Sequence, residues 1–237
     1  MTFIGGTRSL GKLGPELAAI KPDVIATILD ITIRAWPEVI ASMKVDRRSH
    51  EKQITNELRW KMVDEKNRRT PPHNLRFARE EQSDLPDGSR KGGHIDISVG
   101  YSYVETEYFA IECKKVTDRD KKRAKYYIDE GVYRFVRGKY SLGHSHASMI
   151  GFVCGGTCAD SARLIESMIN SHNVADTHLT REWQREPDLC SSPDLYSTMH
   201  RQTETTHDIT LLHLFLAFPE SIRTLPAKGR NKGPTNT

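Results

Sequence analysis

The spacing of apolar and polar positions changes several times along the chain, and each change marks an element boundary. From Glu16 to Met43, "ELAAIKPDVIATILDITIRAWPEVIASM" carries apolar residues at helical spacing, with Pro22 and Pro37 placed to start or break helices. Two helices are predicted there. In "RSHEKQITNELRWKMVDEKNRR", Ile54, Leu58 and Met62 recur at four-residue intervals, and Ser49 stands where a helix cap belongs. "TPPHN" ends that helix.

The period then shortens to that of a strand. "NLRFAREE" alternates, with Leu75 and Phe77 on one face, before the Pro- and Gly-rich loop "SDLPDGSRKGG". In "GHIDISVG", Ile95, Ile97 and Val99 point one way while His94, Asp96 and Ser98 point the other. In "EYFAIECKKV", Phe109, Ile111 and Cys113 share one face, and Tyr108, Ala110, Glu112 and Lys114 share the opposite one. Residues 119–137 return to helical spacing with an interruption at Gly131, "SMIGFVCGG" is a short buried strand, and "CADSARLIESMINSH" is a second strong helix. "HLTREWQ" and "TLLHLFLAF" read as two late strands, separated by the loop-like "PDLCSSPD".

Helix, three strands, helix, strand, helix and further strands make an α/β fold with a mixed central sheet flanked by helices. Three segments follow: an N-terminal helical elaboration (1–48), a domain over 49–222 whose core is 49–155, and a disordered tail over 223–237.

Composition narrows the picture. The 237 residues suffice to bury a core without disulfide staples, and no apolar run approaches the roughly 20 residues of a membrane helix. The beginning "MTFIGGTRSLGKLG" lacks the apolar stretch of a secretory signal, so a cytoplasmic location is expected, with no membrane partner. Cys154 and Cys158 in "CGGTC" have no second pair at zinc-ligand spacing and are expected to be small buried thiols. Net charge is +4, yet Lys114–Tyr140 alone carries ten Lys/Arg against four Asp/Glu, leaving the rest slightly acidic. That local excess of cations suits a polyanionic substrate.

The charged residues of the two central strands carry the chemistry. In a hairpin centred on residue 104, Asp96 and Glu112 fall side by side, with Lys114 one step further on the same face. Carboxylates that close repel each other unless a cation lies between them, and Mg²⁺ prefers such oxygen ligands. Lys114 would orient a water or stabilise charge on a phosphate.

Asp96 followed by Glu112-Cys113-Lys114 resembles the signature of the PD-(D/E)xK nuclease superfamily, which includes many restriction endonucleases. The resemblance implies an αβββαβ core, matched over roughly 49–155, with N-terminal helical and C-terminal elaborations. Ile95 stands where the family has proline. The resemblance further implies a metal-dependent DNA endonuclease using Mg²⁺, with Mn²⁺ as a substitute. Asp96, Glu112 and the main-chain carbonyl of Cys113 would be ligands, with Glu57 joining them from the preceding helix. Glu57 shares the flank of Ile54 and Leu58, whereas Glu51 and Glu65 point further from it.

"YYIDEGVYRFVRGKYSLGHSHASMIGFVCGG" is similar to a pattern in restriction-like nucleases of bacterial antiphage defence systems, at Arg134, Gly138 and Tyr140. It implies an effector nuclease, an ATPase or helicase partner subunit, and room for a homo-oligomer. Lys115, Lys121, Lys122, Arg123, Arg134 and Tyr140 are the expected DNA contacts. The competing expectations are a catalytically silent nucleic-acid-binding subunit and an RNA-directed nuclease. No sequence-reading module stands out, so specificity is expected from a partner, from DNA ends or from a single-strand junction.

Overall fold

The computed structural model describes residues 19–69, 74–82, 94–104, 107–171 and 174–219. The expected irregular N-terminus, the 83–93 loop and the 223–237 tail lie outside them. Helix α1 (Pro22–Ala41) begins with Pro22 at its first position, where a missing N–H costs nothing. It continues through Pro37, so one helix stands where two were predicted. Tertiary contacts outweigh the proline: Trp36 Nε1 donates to the Ala217 carbonyl at 2.9 Å and its ring stacks on Phe152. Helix α2 (Glu51–Arg68) follows, with His50 rather than Ser49 at the cap position.

A seven-stranded mixed sheet forms the centre, in the order β1-β2-β3-β4-β7-β6-β5. Its strands are β1 (Arg76–Gln82), β2 (His94–Gly100), β3 (Tyr108–Val116), β4 (His146–Val153), β5 (Leu179–Arg185), β6 (Leu195–Arg201) and β7 (Asp208–Ala217). β3, β4 and β7 are mutually parallel neighbours, and the remaining pairs are antiparallel. A crossover joins β3 to β4 through α3 (Lys121–Tyr127), a π-helical turn (Ile128–Val132) and α4 (Tyr133–Val136). The interruption expected at Gly131 is this π turn. A Cβ on Gly131 would overlap the end of Met149, so its absence lets the helix lie close on β4.

Helices α1 and α2 pack their apolar residues with Ile97, Val99, Phe109, Ile111 and Cys113 on one face of the sheet. α3, α4 and α5 (Cys158–Ser171) pack with Ala110, Met149, Val153 and Phe215 on the other. The four cysteines are free. Among the described residues no helix is long and apolar enough to cross a membrane.

Strand β6 was not expected. Its buried positions include Ser197, Thr198 and His200, so no apolar alternation announces it. Those polar groups are satisfied internally. Thr198 Oγ1 lies 2.7 Å from His200 Nε2 and 2.9 Å from His213 Nε2; His200 Nδ1 meets the Thr177 carbonyl, and His213 Nδ1 meets Tyr127 Oη.

Candidate active site

The backbone ladder between β2 and β3 ends at Ile97 and Ile111. Asp96 and Glu112, the next residue on each strand, continue that register, as a hairpin centred on residue 104 requires. Past this point carboxylates replace strand pairing. The Cys113 N–H donates to Asp96 Oδ2 at 2.8 Å, and the Lys115 N–H donates to Glu51 Oε2 at 2.8 Å. Each bond satisfies a main-chain donor that would otherwise be costly to bury.

Glu112 and Lys114 lie inside this notch, only 1% and 4% exposed. Lys114 Nζ donates to Glu112 Oε1 at 2.6 Å and to the Cys113 carbonyl at 3.1 Å, and stands 3.5 Å from Glu51 Oε1. Burial, then the negative charge of Asp96, pushes the Glu112 carboxyl well above the ordinary carboxylate range. Burial likewise raises Asp96, against the pull of Lys114 and the Cys113 N–H. Burial works to lower the Lys114 ammonium, but Glu112, Glu51 and Asp96 together hold it above its usual value. The second oxygen of Glu112, Oε2, is buried with no hydrogen-bond donor.

The second cation on Glu112 comes from the crossover helix. Arg134 Nη1 lies 3.2 Å from Glu112 Oε1 and donates to Tyr140 Oη at 2.6 Å, while Nη2 reaches Glu130 at 3.0 Å. Tyr140 Oη in turn donates to the His94 carbonyl at 2.7 Å. Gly138 makes this loop close. It adopts φ +64° just after α4, turning the chain so that the Lys139 N–H bonds the Arg134 carbonyl at 2.8 Å. Tyr140 is thereby returned to the side chain of Arg134.

Two expectations need correction. Glu57 does not join this cluster: six residues beyond Glu51 on α2, it lies ~9 Å along the helix and about 240° around it. It is buried, and its Oε1 faces Lys44 at 3.6 Å. Glu51, judged the poorer fit from flank spacing, is the α2 glutamate that arrives, because the helix begins beside β3. Tyr140 is 0% exposed and bonded at its hydroxyl, so it supports Arg134 and has no surface for DNA.

Of the other expected contacts, Lys115 Nζ donates to the Ser49 carbonyl at 2.7 Å, which ties it to the start of α2. Arg123 pairs with Asp120, and Lys121 and Lys122 are exposed on α3. Missed in the sequence was Tyr126, whose ring centroid lies 5.6 Å from Lys114 Nζ. Only its place on the basic helix one turn after Lys122 pointed there.

No protein-family model matches this chain, and neither a curated protein nor a solved structure shows a significant match. Whether the residues suit a divalent cation must come from their own donors. Among the described residues no three His, Cys, Asp or Glu side chains already converge as a metal site. Yet Glu112 Oε2, buried without a hydrogen-bond donor while Lys114 and Arg134 both serve Oε1, is a hard oxygen beside Asp96 of the kind a small divalent cation takes.

Proposed function

We propose that this chain is a metal-dependent nuclease that hydrolyses phosphodiester bonds of DNA, built on a restriction-endonuclease-like core of α2, β1–β3, the crossover helices and β4. The observation that carries the reading is the meeting of Asp96, Glu112 and Lys114 in a notch where strand pairing stops, with Glu112 Oε2 left undonated.

Asp96 and Glu112 would hold Mg²⁺, with Glu51 completing the carboxylate set from α2. When bound, such an ion polarises a phosphodiester and lowers the pKa of a water. The chain's own residues do the rest. Lys114, held by Glu112 and the Cys113 carbonyl and 3.5 Å from Glu51 Oε1, is the cation placed to orient a water or meet a phosphate oxygen. Arg134, braced by Glu130 and Tyr140, fixes the Glu112 carboxylate. The exposed Lys121 and Lys122 draw the polyanion toward the notch. The likeness of the Arg134–Gly138–Tyr140 segment to antiphage nucleases supports a defence role.

A second reading is a silent binding subunit. It is favoured by one feature: Lys114 and Arg134 already lie within 3.2 Å of Glu112 Oε1, as in a structural ion cluster. Cleavage of linear, circular and single-stranded DNA with and without Mg²⁺ separates the two. The nuclease reading expects Mg²⁺-dependent products that Glu112→Ala and Lys114→Ala abolish. Mg²⁺-independent cleavage, or unchanged cleavage by Glu112→Ala, refutes it.

A further inference from the structure

Tyr126 stands at the protein surface over Lys114. Its side chain is 52% exposed, while one face of the ring covers the buried Lys114 ammonium. Aromatic residues placed for packing alone are covered by apolar neighbours, and the adjacent Tyr127 shows this, being fully buried. Tyr126 instead shares its outer helix face with Lys122, one turn earlier and exposed. One turn further along, Glu130 braces the Arg134 that holds Glu112. A half-free aromatic ring and the exposed Lys122 therefore lie on the helix beside the cations that hold Glu112.

We infer that Tyr126 is a base-stacking platform and that the strand entering the site is single-stranded. The inference rests on the nuclease reading and specifies its substrate. Stacking on a side chain requires a base with a free face; within a duplex both faces of every internal base are occupied. Burial argues the same way: Glu112 and Lys114 are almost wholly covered, so a scissile phosphate reaches them only where the backbone bends sharply, which a flexible single strand does more readily than a stiff duplex. The base next to that phosphate then lies on Tyr126, and Lys122 meets the backbone further out.

The test is binding, read separately from cleavage. Anisotropy of a fluorescein-labelled single-stranded DNA oligonucleotide, and of its duplex, is measured without divalent metal for the wild type, Tyr126→Ala and Tyr126→Phe. Tyr126→Ala is expected to weaken single-strand binding roughly 10-fold or more, with duplex binding altered less than about twofold. Tyr126→Phe keeps the stacking face and stays near wild type. Because Tyr126 is half exposed, the melting temperature of Tyr126→Ala checks that the fold survives. Equal losses on both substrates, or no loss on the single strand, overturn the inference. Unchanged cleavage by Glu112→Ala would remove the nuclease reading while leaving these affinities as measured, so the two failures are distinct.

Discussion

Glu51 Oε1 lies 3.5 Å from Lys114 Nζ while its other oxygen accepts the Lys115 N–H at 2.8 Å. One carboxylate at the start of α2 therefore closes the end of a strand ladder and faces the central ammonium. Glu57, six residues on, faces Lys44 instead.

That contrast predicts opposite behaviour for the two glutamates. Glu51→Gln should lower Mg²⁺ affinity about 10- to 100-fold by titration calorimetry, the scale seen when a supporting carboxylate is lost from a metal site. Glu57→Gln should leave it within about twofold. Equal losses for both variants would put the α2 contribution elsewhere.

Removing Lys114 leaves buried carboxylates without their nearest cation. Lys114→Ala should destabilise the fold by about 3–5 kcal/mol in EDTA, as breaking a buried ion pair does. Added Mg²⁺ should raise its melting temperature more than it raises that of the wild type, because the ion now replaces the missing charge. A variant that melts like wild type and ignores Mg²⁺ would show that the carboxylates bind no metal.

Glu112, raised to about 8, ties metal binding to pH. Between its ordinary value and about 8 the folded protein keeps a proton that the unfolded chain releases, so this group favours folding less as pH rises through that window. Mg²⁺ needs the ionised form. Its affinity should therefore climb with pH up to about 8 and then level off, measured calorimetrically from pH 6.5 to 9. A flat profile would argue against Glu112 as a ligand.

The buried pair His200 and His213 predicts the opposite slope. Burial lowers His200 to about 4, and His213 well below its ordinary value, so both are neutral in the fold. The unfolded chain takes up protons first, so stability present above about pH 6.5 should be lost as pH falls toward 4, by roughly 3 kcal/mol for His200 alone. Thr198→Val, which leaves both rings short of a partner, should cost about 1–3 kcal/mol at pH 7.5 in urea unfolding.

Gly138→Ala tests the loop that returns Tyr140 to Arg134. The added Cβ would come 2.5 Å from Leu142 at a positive φ, so a stability loss of about 1 kcal/mol or more is expected. Reduced cleavage should accompany it as Arg134 loses its brace. Wild-type melting and activity would show that the turn tolerates a side chain.

Much of the sheet was legible because strand periodicity is local. Alternation in 94–100 and 107–116 located β2 and β3, and the position of the turn placed Asp96 beside Glu112. β6 escaped because polar residues fill its buried positions on both faces: Thr198 and His200 bond each other, His213 on β7 and the Thr177 carbonyl, and Ser197 bonds Glu186. Pro37 misled for a related reason: its helix is held by Trp36 against the sheet, a contact 181 residues away in sequence.

By itself the sequence determined the α/β order, the face shared by Asp96, Glu112 and Lys114, and the basic crossover helix, since each follows from side-chain alternation or local composition. Only the tertiary structure decided which glutamate of α2 arrives, that Tyr140 is buried behind Arg134, and that Tyr126 stands open over Lys114. Those depend on where one helix begins against another strand, and no periodicity within a single element encodes that distance.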